Sequence, residues 1–213
     1  MFKSETRLEQ ARQVRTLIRE LADIVPVAVC SGNHDNADRL VSHDRASVYE
    51  WFIDLGTHPN IITDGSTRKL ENLIVTAIPY HCSRQEKSIW LDRGSTIRRE
   101  TGIPWIVLHH VSPKNCRGVS GEESETAELL ATYRPEYFVS GHDHAFPYRF
   151  DQSWNQKLGE SRLLVPGQLL EAPFPNHIKL NTESGELSWH TNSETWIPED
   201  GLYDHLVLKL AKD

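Results

Sequence analysis

The chain has 213 residues, of which 38% are hydrophobic and 25% are charged, and its formal net charge is −7. This length allows one domain with a substantial core, and the acidic balance gives no overall attraction to a nucleic-acid backbone. No apolar run approaches the roughly 18 residues of a membrane span, and the charged N-terminus is unlike a signal peptide, so we expect a cytoplasmic protein with no membrane partner. The three cysteines form no C-x-x-C pair, which argues against a disulfide framework and a thiolate zinc site.

The first predicted element is a helix over residues 4–23. Its apolar side chains recur at spacings of three and four: Leu8, Ala11, Val14, Leu17, Ile18 and Leu21. A helix that leads straight into a buried parallel strand is the second half of a β-α-β unit. No strand precedes this helix, so we expect the chain to lack its first β-α unit or units at a truncated N-terminal end.

Three apolar runs each end in a loop that carries imidazoles. Residues 25–30 form a β-branched run, and Asn33, His34 and Asp35 follow it. Two later runs end in His109-His110 and in the segment from His142 to His144. Because sites in open α/β sheets lie at the carboxyl ends of the strands, we expect these three strand ends to converge.

Helical and extended patterns alternate along the rest of the chain, which favours a parallel or mixed sheet covered by helices. The predicted helices are residues 44–55, 85–100 and 120–133, and the predicted strands are 60–63, 73–80, 103–109, 137–140, 162–165, 177–180, 186–190 and 206–210. The fold class is therefore α/β. We treat residues 1–213 as a single domain whose last part, 146–213, is mainly β.

The polar residues at the strand ends have the chemistry of a metal site. Asn33, His109, His142 and His144 offer one amide oxygen and neutral imidazoles, which suit Zn, Mn, Fe, Ni or Co. His142 and His144 are two residues apart, so in an extended segment both side chains would point to the same side. They could therefore serve two adjacent metal ions.

The same residues resemble the C-terminal motif set of the calcineurin-like metallophosphoesterases. The matching segments, in the family's order, are Gly32-Asn33-His34-Asp35, a strand that ends at His109, and Gly141-His142-Asp143-His144. Pro166-Gly167 and Ile78-Pro79-Tyr80 are weaker matches, and the resemblance extends over about residues 4–167. It implies two mixed β-sheets sandwiched between helices, with a two-metal site at the strand ends.

The resemblance also implies roles for the site residues. Asn33, His109 and His142 would ligate one divalent metal and His144 the other, while His34 would be the catalytic proton donor above the substrate. Of the neighbouring pair His109-His110, we choose His109 as the ligand because it lies nearer the strand end. We assign His110 and Asp35 to supporting positions next to the ligands. His81, at another strand end, is a candidate for the substrate pocket.

The implied activity is hydrolysis of a phosphate mono- or diester by a metal-bound hydroxide. Two metals about 3.5 to 4 Å apart lower the pKa of bound water towards about 7 and clamp the reacting oxygens. The family's Asp-x-His and Gly-Asp motifs are missing from this chain. Their absence implies impaired binding at one of the two metal positions. We expect the protein to be an active enzyme when its chain is complete. The alternatives are a nuclease of the same superfamily, which the acidic charge disfavours, and an impaired remnant that binds a metal or a protein partner.

Overall fold

A computed structural model describes residues 4–33, 35, 52–80, 82–113, 124–142, 154–166, 176–190 and 195–196. The helices are α1 Ser4–Ala22, α2 Arg84–Thr101 and α3 Ser124–Tyr133, and residues 52–55 are also helical. The strands are β1 Val27–Ala28, β2 Ile61–Ile62, β3 Ser66–Lys69, β4 Ile74–Ala77, β5 Trp105–Leu108, β6 Tyr137–Val139, β7 Trp154–Leu158, β8 Ser161–Val165, β9 His177–Leu180, β10 Leu187–His190 and β11 Thr195–Trp196.

A six-stranded mixed sheet forms the centre of the fold. Its strand order is β3-β4-β5-β6-β8-β7, with β4, β5, β6 and β8 parallel and the two outer strands antiparallel to their neighbours. Parallel strands need long crossover connections, and α2 and α3 supply them between β4 and β5 and between β5 and β6. The carboxyl ends of β4, β5 and β6 therefore lie at one edge.

One face of this sheet is covered by α2 and α3. Trp105 and Val107 of β5 and Phe138 of β6 point to this face and pack with Leu91 of α2 and Leu130 of α3. The contact between α2 and β5 is close, because a Cβ added at Gly94 would lie 2.4 Å from the Trp105 ring. The predicted helix 85–100 therefore covers the sheet. A bulky residue at position 94 would push this helix away from the sheet.

Local capping explains where α2 begins and ends. Ser83 and Glu86 form a reciprocal capping box, in which the Glu86 carboxylate accepts a hydrogen bond from the Ser83 backbone N–H at 2.8 Å. Gly102 ends the helix with a φ of 69°, and its N–H donates to the Arg98 carbonyl oxygen at 2.7 Å. The capping hydrogen bonds at both ends are thus made by residues close to one another in the sequence.

The opposite face of the central sheet is covered by two smaller sheets. The parallel pair β1–β2 lies over β4 and β5, where Ala28 and Ile62 pack against Val75, Ala77 and Leu108. The antiparallel sheet β9–β10–β11 lies over β6 and β8 through a second cluster, whose members are Leu164, Leu187, Trp189, Tyr137, Val139, Ile178 and Leu180. α1 then covers the outer side of β1–β2 by packing Ala22 and Ile18 against Ile61 and Val27.

These layers confirm the predicted fold class of mixed β-sheets between helices. β1 is shorter than the run of residues 25–30 predicted, and Pro26 has no N–H with which to extend the pairing. The division into a single domain stays a prediction, and the predicted strand 206–210 lies outside the described residues. In the part of the chain that the structure describes, no helix combines the length and apolar composition needed to cross a bilayer.

Candidate metal centre

Three segments that follow parallel strands meet above the central sheet. The β5–β6 pairing continues beyond the strands, because the His109 N–H donates to the Val139 carbonyl and the Gly141 N–H donates to the His110 carbonyl, at 3.1 and 3.0 Å. The layer that contains β1 lies over the same edge and brings the turn at Asn33 towards it. The predicted convergence of strand ends is therefore present for these three segments.

Asn33, His110 and His142 place their polar side-chain atoms next to one another. The Asn33 Oδ1 lies 3.0 Å from the His110 Nε2, and the His142 Nδ1 lies 3.1 Å from the same nitrogen. The two imidazole rings have centroids 4.9 Å apart and planes at 71° to each other. All three side chains are only partly buried, so a small ligand could reach this group from solvent.

This arrangement fits a divalent metal ion. Ligand atoms about 2.0 to 2.1 Å from a shared ion lie roughly 3.0 to 3.4 Å apart. The distances from the His110 Nε2 to the Asn33 Oδ1 and to the His142 Nδ1, 3.0 and 3.1 Å, are close to this range. Imidazole nitrogen and amide oxygen are suitable donors for Zn, Mn, Fe, Ni and Co. Among the described residues, no group of three or more His, Cys, Asp or Glu side chains could hold a metal. The third donor of this centre is the amide of Asn33, which is not one of those four residue types.

Two local backbone features allow the close approach. A Cβ added at Gly32 would lie 2.9 Å from the His110 Cε1, so only glycine leaves room for the imidazole in this position. His142 has a φ of 71°, which is in the left-handed region that non-glycine residues rarely adopt. Strained backbone of this kind occurs most often at functional sites, where the surrounding structure enforces it.

Asp35 closes the turn that carries Asn33. Its Oδ2 accepts a hydrogen bond from the Gly32 N–H at 2.9 Å, and its own N–H donates to the Gly32 carbonyl oxygen at 3.2 Å. Asp35 therefore supports the turn from within rather than lining the group of donor atoms.

The structure places His110, and not His109 as we expected, beside Asn33 and His142. Side chains alternate along β5 and beyond it, so His109 faces the helices and His110 faces the layer of β1. His109 is fully buried, with its Nδ1 3.4 Å from the Ile78 carbonyl oxygen and its ring edge-on to Phe138. Which of the two imidazoles binds a metal stays a prediction, and the structure shows that the face of the sheet decides which of them lies beside the turn.

Sequence reasoning missed Asp64, which follows β2. Its Oδ1 accepts a hydrogen bond from the Ser31 N–H at 2.9 Å, while its Oδ2 is buried without a hydrogen-bond partner in the described structure. Burial raises the pKa of the Asp64 carboxyl, and the hydrogen bonds from Ser31 oppose that shift. β1 and β2 are parallel, so an acidic residue just after the predicted strand 60–63 was the available signal.

Cys30 also lies next to this loop, where burial disfavours its thiolate form. Burial, with the nearby charges of Asp64 and Asp35, raises the pKa of its thiol to about 12. Because the thiolate is the form that attacks electrophiles, we expect low nucleophilic reactivity from Cys30. Its side chain packs with the apolar cluster between β1–β2 and the central sheet.

Tyr80 lies against the two imidazoles. Its ring centroid is 5.5 Å from that of His110, in an edge-on arrangement, and 6.1 Å from that of His142. The Ile78-Pro79-Tyr80 segment was only a weak signal for it in the sequence. Three other predicted site residues, His34, His81 and His144, lie outside the described residues.

Comparisons with known proteins agree with this architecture. The solved structure of TT1561 of Thermus thermophilus has 18% sequence identity and a TM-score of 0.57, and the match covers 88% of this chain and 79% of that one. A second solved structure has 13% identity and a TM-score of 0.58, with coverage of 85% and 72%. At these identities the likeness concerns the fold. No curated protein matches the chain significantly.

A family model identifies the chain more directly. The model of the calcineurin-like phosphoesterases matches residues 5–146, which include the turn at Asn33, the strand end at His110 and the loop at His142. The motif resemblance noted in the sequence and the layered fold point to the same family. The chain belongs to the calcineurin-like phosphoesterase family.

Proposed function

We propose that this protein is a metal-dependent hydrolase of phosphate mono- or diesters, with Asn33, His110 and His142 as ligands of one metal ion. The observation that carries the proposal is the convergence of the Asn33 Oδ1, the His110 Nε2 and the His142 Nδ1 from three separate segments, at separations of 3.0 and 3.1 Å. Membership of a phosphoesterase family supports the type of reaction.

The donor set suits a site that attracts phosphate. One amide and two neutral imidazoles carry no negative charge, so they would leave the charge of a divalent ion available to a phosphoryl oxygen. When bound, such an ion supplies a Lewis acid that lowers the pKa of a water molecule and neutralises charge on the phosphoryl group. The protein's part is to fix the donors, which the tight turn at Gly32 and the strained backbone at His142 support.

Two further roles follow from the motif resemblance. We propose that His34 donates a proton to the leaving alkoxide, because an imidazole titrates near neutral pH and can contribute roughly 10² to 10⁴ in rate. We propose that His144 ligates a second divalent ion, with Mn, Fe, Zn, Ni or Co as the candidate metals at both positions. The proposed substrate is a phosphorylated compound.

Metal-dependent hydrolysis of p-nitrophenyl phosphate and bis(p-nitrophenyl) phosphate tests the proposal. We expect the protein to hydrolyse at least one of them with Mn²⁺ and neither with EDTA. His110→Ala should lower turnover by at least about 100-fold, because even residues that only orient ligands contribute roughly 10- to 100-fold. His177→Ala, which removes a solvent-exposed imidazole from β9, is the matched control and should behave as wild type.

Three outcomes would contradict the proposal in different ways. Failure to hydrolyse either ester would contradict the proposed activity and favour the alternative of an impaired remnant, and cleavage of a DNA oligonucleotide alone would replace the proposal with a nuclease. Equal loss in His110→Ala and His177→Ala would show that the three donors described above are not the metal site. If His109→Ala lost metal while His110→Ala retained it, the ligand assignment would revert to His109.

A further inference from the structure

The segment after β4, residues 78–80, lies beside β5 and next to the candidate metal centre. The Ile78 N–H donates to the Leu108 carbonyl oxygen at 2.9 Å, which keeps this segment beside β5 beyond the end of β4. Tyr80 then places its half-buried ring against the imidazoles of both His110 and His142. A single aromatic side chain therefore contacts two of the three proposed ligands.

The backbone of Tyr80 is held by a residue of the Asn33 loop. The Tyr80 N–H donates to the Ser31 Oγ at 3.2 Å, and the Ser31 N–H donates to the Asp64 Oδ1 at 2.9 Å. Ser31 is buried and lies two residues before Asn33. The chain of contacts thus runs from the end of β2, through the loop after β1, to the end of β4.

The ring geometry matches a contact that orients imidazoles. Aromatic rings with centroids 4.5 to 7 Å apart attract one another in edge-on and offset arrangements, and the Tyr80 contacts lie within this range at 5.5 and 6.1 Å. Histidine ligands commonly depend on neighbouring groups that fix the ring orientation. The Tyr80 ring is a described neighbour of both His110 and His142.

We propose that Tyr80 is a positioning residue that orients the imidazoles of His110 and His142, and that Asp64 and Ser31 hold Tyr80 in place. The proposal rests on the proposed function for its consequence in metal binding, but its geometric content concerns the metal-free protein. One aromatic contact of this kind corresponds to about a threefold to tenfold change in metal affinity.

The direct test is NMR of the metal-free protein labelled with ¹⁵N-histidine. Tyr80→Leu, which removes the aromatic ring, should shift or broaden the ring signals of His110 and His142. Tyr80→Phe keeps the ring and should restore signals close to those of wild type. Tyr133→Leu, at the end of α3 and packed against the core under the other face of the sheet, is the matched control and should leave both signals unchanged.

Ser31→Ala tests the same proposal with a smaller change, because the Tyr80 ring is kept. This variant removes the oxygen that accepts the Tyr80 N–H but keeps the backbone bond to Asp64, so smaller shifts of the same two histidine signals are expected. If Tyr80→Leu does not fold, the Ser31→Ala result decides the question. Unchanged His110 and His142 signals in both variants would overturn the proposal.

Calorimetric titration with Mn²⁺ separates this proposal from the proposed function. We expect Tyr80→Leu to bind Mn²⁺ about threefold to tenfold more weakly than wild type, and Tyr80→Phe to recover most of the loss. If the wild type bound no Mn²⁺, the proposed function would fail while the NMR comparison still decided the role of Tyr80. If wild type and Tyr80→Leu bound Mn²⁺ equally, the positioning role would be wrong.

Discussion

At the scale of single residues, the candidate centre depends on local backbone features as well as on donor atoms. Gly32 leaves space for the His110 ring, Asp35 closes the turn, and His142 accepts an unfavourable backbone angle. Each of these features brings a donor atom to within about 3 Å of another, which is the separation that a shared ion requires. The residues around the donors thus determine the site as much as the donors do.

Gly32→Ala should weaken metal binding with little loss of stability. The new Cβ would lie 2.9 Å from the His110 Cε1, so the imidazole must move by several tenths of an ångström. Because displaced ligands commonly lose about 10- to 100-fold in metal affinity, we expect Mn²⁺ binding about tenfold weaker or more by calorimetry. Gly141→Ala is the matched control, since a Cβ there has no described atom within 4 Å. Equal effects of the two substitutions would contradict this explanation.

At the scale of elements, the β9–β10 hairpin carries a second pair of histidines that is separate from the centre. His177 and His190 are directly opposed across the two strands, and their rings stack with centroids 4.8 Å apart and planes at 8°. Desolvation lowers the pKa of His190 from its ordinary value of 6.5, and the nearby charges of Lys179 and His177 act in the same direction. This pairing disfavours the protonated form of His190 in the folded state.

The hairpin should therefore lose stability in acid. Above about pH 6.5 the imidazole is neutral in both states, and the full stability is present. As the pH falls from there through the lowered pKa of folded His190, the unfolded chain takes up the proton first and the free energy of unfolding decreases. Urea unfolding at pH 7.5 and pH 5 measures this loss.

Two variants isolate the histidine contribution to that loss. His190→Gln removes the titrating group, and Lys179→Gln removes one of the charges that lower its pKa. Both should lose less unfolding free energy than wild type between the two pH values. The prediction fails if wild type and His190→Gln lose the same amount.

At the scale of the whole molecule, the candidate centre joins two layers of the fold. Asn33 follows β1 in the outer sheet, whereas His110 and His142 follow β5 and β6 in the central sheet. These residues come together only in the native state. A metal ion bound by all three would therefore act as a link between the layers and would stabilise the folded chain.

Thermal unfolding with and without metal measures this link. At a free Mn²⁺ concentration of 100 times Kd, binding to the native state adds about 2.7 kcal/mol. For a domain of this size, that corresponds to a rise in Tm of about 5 to 10 °C. His110→Ala should abolish the rise and His177→Ala should keep it. A rise of equal size in His110→Ala would place the bound metal elsewhere.

Much of the fold follows from local sequence patterns. The apolar runs at residues 103–109 and 137–140 became β5 and β6 because short β-branched and aromatic segments favour buried strands. The mixed, polar segment 85–100 was predicted as a helix, and Ser83 with Glu86 fixes its start. Predictions for β1 were less accurate at its ends, because strand length depends on a partner strand that lies far away in the sequence.

By itself, the sequence determined the family, the order of the main elements and the three segments that form the centre, since motifs and periodicity are local properties. Only the tertiary structure placed His110 rather than His109 beside Asn33 and His142, because alternation along a strand does not reveal which face meets the β1 layer. It also brought Asp64 and Tyr80 to the centre through hydrogen bonds and ring contacts between residues distant in the chain. Such contacts arise from the packing of layers, which no single segment encodes.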